Sequence, residues 1–251
     1  MNTIDLKGKK ILVTGASSGL GRDISIFLSE CGAQVVLVAR NKNRLKETEA
    51  AMQSRNHVVI SCDIGKEGSI AGMFDKAMED GKKLDGLVHC AGIIPLMPLS
   101  TITRKSIDEC MSINFSALIE LVKFFSKKKN REQKSSIVEI SSICSQYPGK
   151  CQTVYAASKA AANAAVQSLA LELYKNGIRI NSILPGTFKT SAGEKVADKI
   201  GQEAIDKMLR PQICGYLSTR EISNIVAFLL CDMSSAVTGR TVYADGGYIN
   251  Y

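Results

Sequence analysis

Histidine is scarce in this chain. Only His57 and His89 occur in 251 residues, which leaves little material for a histidine-built zinc site or a Ser-His-Asp triad. Paired cysteines are missing as well: the eight, at 31, 62, 90, 110, 144, 151, 214 and 231, include no C-x-x-C pair. They read as reduced thiols rather than a disulfide framework or metal site, and no metal is expected. No Pro/Ser-rich linker, repeat or low-complexity tract divides the sequence, so a single domain over residues 1–251 is expected. Long hydrophobic runs are also lacking. Met1 to Lys10 is polar, and the short apolar run after it ends in Thr14-Gly15. Neither an export signal nor a membrane span is legible, and the expectation is a cytoplasmic protein with no membrane partner.

What is present suffices for a core. Hydrophobic residues make up 45% and charged residues 22%, the balance of a globular rather than a disordered chain. The formal charge of +8 would suit nucleic acid, yet no nucleic-acid module accompanies it. An anionic cofactor and ordinary surface lysines account for the charge, and no nucleic-acid partner is expected.

Lys10 to Val13 is a short apolar run with the pattern of a buried strand. It leads into Thr14-Gly15-Ala16-Ser17-Ser18-Gly19-Leu20-Gly21, and an amphipathic helix follows through Leu28. Strand, glycine-rich turn and helix form the context in which such glycines bind a dinucleotide. The first permits the tight turn, and the others let a pyrophosphate approach N–H groups at the helix N-terminus. Gly15, Ser17, Ser18, Gly19, Leu20 and Gly21 are therefore candidate cofactor contacts. The second strand, Gln34 to Ala39, ends where an acidic residue would hold the ribose 2′-OH of NAD. Here Ala39 takes that place, followed by Arg40-Asn41-Lys42 and Arg44. A carboxylate repels a 2′-phosphate, whereas an arginine grips it with a forked pair of charged hydrogen bonds. NADP(H) is expected in preference to NAD(H), with Arg40 the main discriminator.

The alternation continues. A strand at Val58 to Ser61 ends in Cys62-Asp63-Ile64, where Asp63 is a candidate acceptor for the adenine amine. Lys66 to Gly81 reads as a helix and Leu84 to Val88 as a strand ending in His89-Cys90-Ala91-Gly92. The small Ala91-Gly92 pair suits a backbone that passes close to a ligand. A long helix over Arg104 to Lys129 carries Asn114, and its polar tail to Arg131 reads as a solvated helix end. Ser136 to Ile140 is a strand ending in Ser141-Ser142; Ile178 to Leu184 is another, followed by Pro185-Gly186-Thr187-Phe188-Lys189-Thr190. This rhythm predicts an α/β fold with a parallel sheet covered on both faces, whose ligands bind beyond the carboxyl ends of the strands. Each polar motif named above falls at such an end or on the helix behind it.

Between the last two strands an alanine-rich run, Val154 to Leu173, contains Tyr155-Ala156-Ala157-Ser158-Lys159. Four residues apart, Tyr155 and Lys159 share a helical face. A free tyrosine, with a pKa of about 10, is a poor proton donor or acceptor near neutrality. An adjacent ammonium stabilises its phenolate and makes the pair a candidate general acid/base for a carbonyl or alcohol.

With these residues assembled, the chain resembles the single-domain branch of the short-chain dehydrogenase/reductase family along nearly its whole length. The family's T-G-x-x-x-G-x-G matches Thr14 to Gly21, and its Y-x-x-x-K matches Tyr155 and Lys159. Its serine thirteen positions earlier falls on Ser142, its helix asparagine on Asn114, and its P-G-x-x-x-T on Pro185, Gly186 and Thr190. Val237-Thr238-Gly239 and Ala244-Asp245-Gly246-Gly247 are also typical. The resemblance implies a Rossmann-type doubly wound sheet and hydride transfer between NADP(H) and a carbonyl/alcohol pair. Ser142 would hold the substrate oxygen and Tyr155 exchange its proton. Lys159 would lower the tyrosine pKa and bind the nicotinamide ribose. Asn114 would hold a water linking that lysine to solvent. Ile64, Cys90, Ala91, Gly92 and the run Pro185, Gly186, Thr187 to Thr190 would line the cofactor.

Two departures stand out. The family's N-N-A-G is His89-Cys90-Ala91-Gly92 here, with His89 expected to be a structural residue at the sheet end. The segment 189–219, expected to form the lid, is basic and amphipathic through Lys195, Lys199, Lys207 and Arg210. Resemblance to acyl-carrier-protein reductases suggests a ketone or 3-oxoacyl substrate, including a carrier-linked acyl thioester; a sugar, polyol or steroid alcohol is the alternative. A silent nucleotide-binding regulator is a third reading, opposed by the complete Asn114, Ser142, Tyr155, Lys159 set. The resemblance also implies a homotetramer, or a homodimer.

Overall fold

Most strands are short β-rich runs, and the seven among the described residues pair in parallel in one sheet. The computed structural model describes residues 4–54, 56–189, 209 and 211–248. In chain order the main elements are β1 (Lys10–Thr14), α1 (Gly19–Glu30), β2 (Gln34–Ala39), α2 (Lys42–Ala50), β3 (Val58–Ser61), α3 (Ser69–Ala77) and β4 (Leu84–His89). They continue as α4 (Arg104–Met111), α5 (Ala117–Phe125), β5 (Arg131–Ile140), α6 (Thr153–Leu173), β6 (Ile178–Pro185), α7 (Thr219–Leu230) and β7 (Thr241–Ala244). The strand order is β3-β2-β1-β4-β5-β6-β7. The order reverses between β1 and β4, which opens a crevice at their carboxyl ends.

Alternation along β1 shows how the sheet buries both faces. Ile11 and Val13 join Leu20, Ile24 and Leu28 of α1 and Ile222 and Val226 of α7 in one core. Leu12 points the other way, into a core with Phe74 of α3, Leu118 and Phe125 of α5 and Val166 of α6. Each such side chain, fully removed from water, contributes roughly 1.5–3 kcal/mol. Among the described residues no helix is long and apolar enough to cross a membrane.

The expected elements are present, with three differences of extent. Strand β5 begins at Arg131 rather than Ser136, so the tail expected to be a solvated helix end runs into the sheet with Asn130 and Arg131 buried. The helix expected over Lys66 to Gly81 is confined to Ser69–Ala77, because Gly68 is left-handed at φ 75° and a turn closed by Asp63 precedes it. The single helix expected from Arg104 to Lys129 is two, α4 and α5, joined by a π-helical turn over Ser112–Ser116 that carries Asn114. One extra residue in a turn re-aims side chains, and such bulges collect at functional sites. Helix α7 starts at a capping box in which Ser218 and Glu221 satisfy each other's backbone N–H groups.

Candidate active site

The loop after β1 explains its own glycines. Gly15 is left-handed at φ 73°, and a Cβ there would sit 2.9 Å from the backbone nitrogen of Ala91. A Cβ on Gly21 would collide with the carbonyl oxygen of Gly15. The loop is held from below, where the Thr48 hydroxyl of α2 donates to the Ala16 carbonyl at 2.9 Å. Ser18 stands at the N-cap of α1, and no acidic residue occupies the first turn. Free N–H groups at a helix start without a nearby carboxylate suit an anion.

From this loop a cleft of about 870 Å³ runs along the carboxyl ends of the strands. Arg40 and Arg44 line one end with Asp63 and Ile64 beside them; Tyr155, Lys159, Ser142 and Thr187 line the other. Ser17, Gly19, Leu20, Cys90, Ala91, Gly92, Pro185 and Gly186 also face it. Neither Arg40 nor Arg44 joins an ion pair among the described residues. A larger cavity, about 1160 Å³, lies near Cys31 and Gln53 and holds none of the motif residues.

The reactive end is built by β5 and α6. Ser142 follows β5 and caps a short 3₁₀ turn, its Oγ accepting the Cys144 N–H at 3.2 Å. Helix α6 presents Tyr155, 8% exposed, and Lys159, 4% exposed. Lys159 Nζ donates to the Ile140 carbonyl at 2.6 Å and to Glu139 Oε1 at 3.0 Å. Burial pushes the Tyr155 phenol up, against the pull of the Lys159 ammonium and a hydrogen bond with Ser142; Cys144 and Glu139 add to the rise. Lys159 thus acts in the direction expected from the sequence, and burial outweighs it. Asn114 is fully buried in the π turn and does not line the cleft. Its Oδ1 accepts the Ile93 N–H at 2.9 Å, and its Nδ2 donates to the Ile93 carbonyl at 3.0 Å and Ser158 Oγ at 2.9 Å. Both ends of the amide are engaged by protein, tying the chain beyond Gly92 to helix α6.

The Cys90-Ala91 backbone is held by Thr14. Its Oγ1 accepts the N–H groups of Cys90 and Ala91 at 3.1 and 3.2 Å and fixes the loop over the cleft. His89 lies wholly buried at the sheet end, as expected, and burial with the nearby Lys159 charge drives its pKa down to about 3.

Two residues escaped the sequence reading. Glu139 left one signal, a lone carboxylate inside the apolar run Ile137-Val138-Glu139-Ile140. Gln212 left none; it comes from the far side of the expected lid and brackets Thr187, accepting its N–H at 2.7 Å and donating to its carbonyl at 2.8 Å. Thr190, and the lid residues Lys195, Lys199, Lys207 and Arg210, lie outside the described residues.

A family model described as Enoyl-(Acyl carrier protein) reductase matches residues 15–249. The chain is 35% identical over 248 residues to L-xylulose reductase of Caenorhabditis elegans, covering 98% of both. It is 30% identical to 3-oxoacyl-acyl-carrier-protein reductase of Rickettsia felis, covering 98% of this chain and 99% of that one. Among solved structures it superposes on a protein described as a short-chain alcohol dehydrogenase from Sinorhizobium meliloti with a TM-score of 0.90 at 29% identity, covering 98% of both chains.

Proposed function

Because the chain belongs to the short-chain dehydrogenase/reductase family, and so is a nicotinamide-dependent oxidoreductase of CH-OH/C=O groups, we propose that it reduces a ketone with NADPH, using Tyr155 as the general acid. The observation that carries this reading is the convergence of Ser142, Tyr155 and Lys159 on one end of a cleft whose other end holds two arginines. The glycine cradle, where a Cβ on Gly15 or Gly21 would strike backbone, fits a dinucleotide pyrophosphate. When bound, the cofactor supplies the hydride. The chain's own residues do the rest. Ser142 Oγ orients the substrate oxygen, the Tyr155 phenol delivers a proton to it, and Lys159 stabilises the phenolate left behind. Phe188 and Ile94 add apolar surface to the cleft.

Arg40 and Arg44 are assigned to the 2′-phosphate. A charged hydrogen-bond pair is worth about 1.5–3 kcal/mol, so Arg40→Ala is expected to lower the NADPH-over-NADH preference in kcat/KM by about tenfold or more. An unchanged preference would remove Arg40 from that role.

The substrate we propose is a 3-oxoacyl thioester, supported by the likeness to the Rickettsia felis reductase and by apolar Ile94 and Phe188 at the cleft. A keto-sugar is the second reading, favoured by the likeness to L-xylulose reductase. A spectrophotometric screen of NADPH and NADH oxidation against an acetoacetyl thioester, simple ketones and keto-sugars separates them. Cofactor binding with no turnover on any of these, in either direction, would favour a nucleotide-binding regulator instead. We also propose a homotetramer; exposed Leu171 and Tyr174 at the end of α6 suit a subunit contact, and light scattering would test it.

A further inference from the structure

Beneath the reactive end the sheet carries a row of polar side chains. Thr14, His89, Glu139, Ser182 and Thr241 are register partners on β1, β4, β5, β6 and β7, so they leave the sheet on one face. That face is the one covered by α6, where Lys159 meets Glu139. Hydrogen bonding settles the tautomer of His89. Thr14 Oγ1 already accepts two backbone N–H groups, so its own proton is directed to His89 Nδ1 at 3.0 Å. The ring proton of the neutral imidazole therefore sits on Nε2. Nε2 faces Glu139 Oε2 at 4.0 Å, and both atoms are buried, with the Ile113 backbone beside the imidazole.

We propose that Glu139, supported by His89, is a positioning residue for the Tyr155–Lys159 pair: its buried carboxylate holds the Lys159 ammonium in an ion pair and offsets part of that ammonium's pull on the Tyr155 proton. The proposal rests on the reading of Tyr155 as the general acid. The groups facing Glu139 are few. Helix α6 contributes Lys159 and Tyr155, β4 contributes His89 with Cys90 just beyond it, and β6 contributes uncharged Ser182. His89 stays neutral with a pKa of about 3, and burial pushes the Cys90 thiol up to about 12, so neither adds charge. Among the described residues Lys159 is the one cation in contact with Glu139. Burial raises Glu139 to about 7 despite Lys159, and Glu139 in turn helps to hold Lys159 above its ordinary value. The rise on Lys159 keeps it cationic. Above neutrality the carboxylate is ionised and restrains the ammonium; as pH falls through about 7 it protonates and the restraint weakens.

The test needs no substrate. The chain is labelled with 13Cζ-tyrosine, Tyr155 is assigned by the resonance lost in Tyr155→Phe, and its ionisation is followed by NMR in the wild type and in Glu139→Gln. Glutamine keeps an acceptor for Lys159 Nζ and nearly the same shape while removing the charge. At a given pH below the midpoint, the phenolate fraction is expected to be about tenfold larger in Glu139→Gln. The alkaline fall of NADPH-driven ketone reduction moves to lower pH in step. An unmoved titration, or one displaced to higher pH, overturns the proposal, because a merely structural glutamate would change melting and not the tyrosine. If Glu139→Gln does not fold, Glu139→Asp decides: it draws the carboxylate back from Lys159 and is expected to move the Tyr155 titration to lower pH, and an unmoved titration overturns the proposal. A Tyr155→Phe chain that still reduces ketones overturns the reading beneath it and the proposal with it. An inactive Tyr155→Phe with an unmoved titration overturns the proposal alone.

Discussion

Tyr155→Phe is expected to cut kcat for ketone reduction by about 10²–10⁴-fold, the usual worth of a positioned general acid, while leaving NADPH binding nearly intact. The phenol ring is 8% exposed and phenylalanine fills the same space, so loss of fold does not compete as an explanation. The hydroxyl alone disappears, and with it the proton that Ser142 and Lys159 are arranged around. Single-turnover absorbance at the reduced cofactor's band, beside a fluorescence titration of bound NADPH, separates the two effects. Tight binding with turnover within a few-fold of wild type would show that another group supplies the proton.

Lys159→Met is expected to damage both function and fold. The ammonium that stabilises the phenolate is lost, and Glu139 is left as a buried charge without its cation. Removing one partner of a buried pair costs about 3–5 kcal/mol, enough to lower the melting temperature by several degrees in a chain of this size. The pH dependence carries the diagnosis. Glu139 already has a folded-state pKa of about 7, above its ordinary 4.5. A carboxyl raised on folding contributes stability that is present below its unfolded pKa and is lost as pH rises through its folded one. Without Lys159 the rise is larger, so the variant's melting temperature should climb as pH is lowered from about 8 to about 5, more steeply than in the wild type. A pH-independent deficit measured by calorimetry would mean that lost packing of the lysine stem, and not the stranded carboxylate, causes the damage.

Most of the sheet was legible because buried parallel strands are short apolar runs with punctuated ends. Gln34–Ala39 and Val58–Ser61 needed no adjustment. The glycine loop and the Tyr155–Lys159 helix were legible for a different reason: their chemistry depends on local spacing, and spacing is what a sequence displays. Asn114 shows the limit. Its place on a helix could be read, but the π turn that buries it and commits its amide to Ile93 and Ser158 depends on packing against α6. Glu139 shows another limit. A carboxylate in an apolar strand signals that a partner exists, but only the register of β4 and β5 and the position of α6 identify His89 and Lys159. Gln212 contacts Thr187 across 25 positions of sequence, and no local motif around it announced the contact.

The chain that leaves the sheet after β6 is stapled to the chain that returns before α7. Phe188 pairs with Leu217, the Lys189 N–H donates to the Leu217 carbonyl at 3.0 Å, and the Leu217 N–H donates to the Thr187 carbonyl at 3.1 Å. Gln212 adds its bracket on the same threonine. Together these bonds make a closed neck that joins the two sides of the chain. The entropy of closing a loop at such a neck grows by only about 0.6 kcal/mol for each doubling of the loop's length. Length and composition beyond the neck can therefore change at little cost to the sheet or to the Pro185–Thr187 wall of the cleft. In engineering terms, the neck anchors the Pro185–Thr187 wall independently of the sequence that connects its two sides.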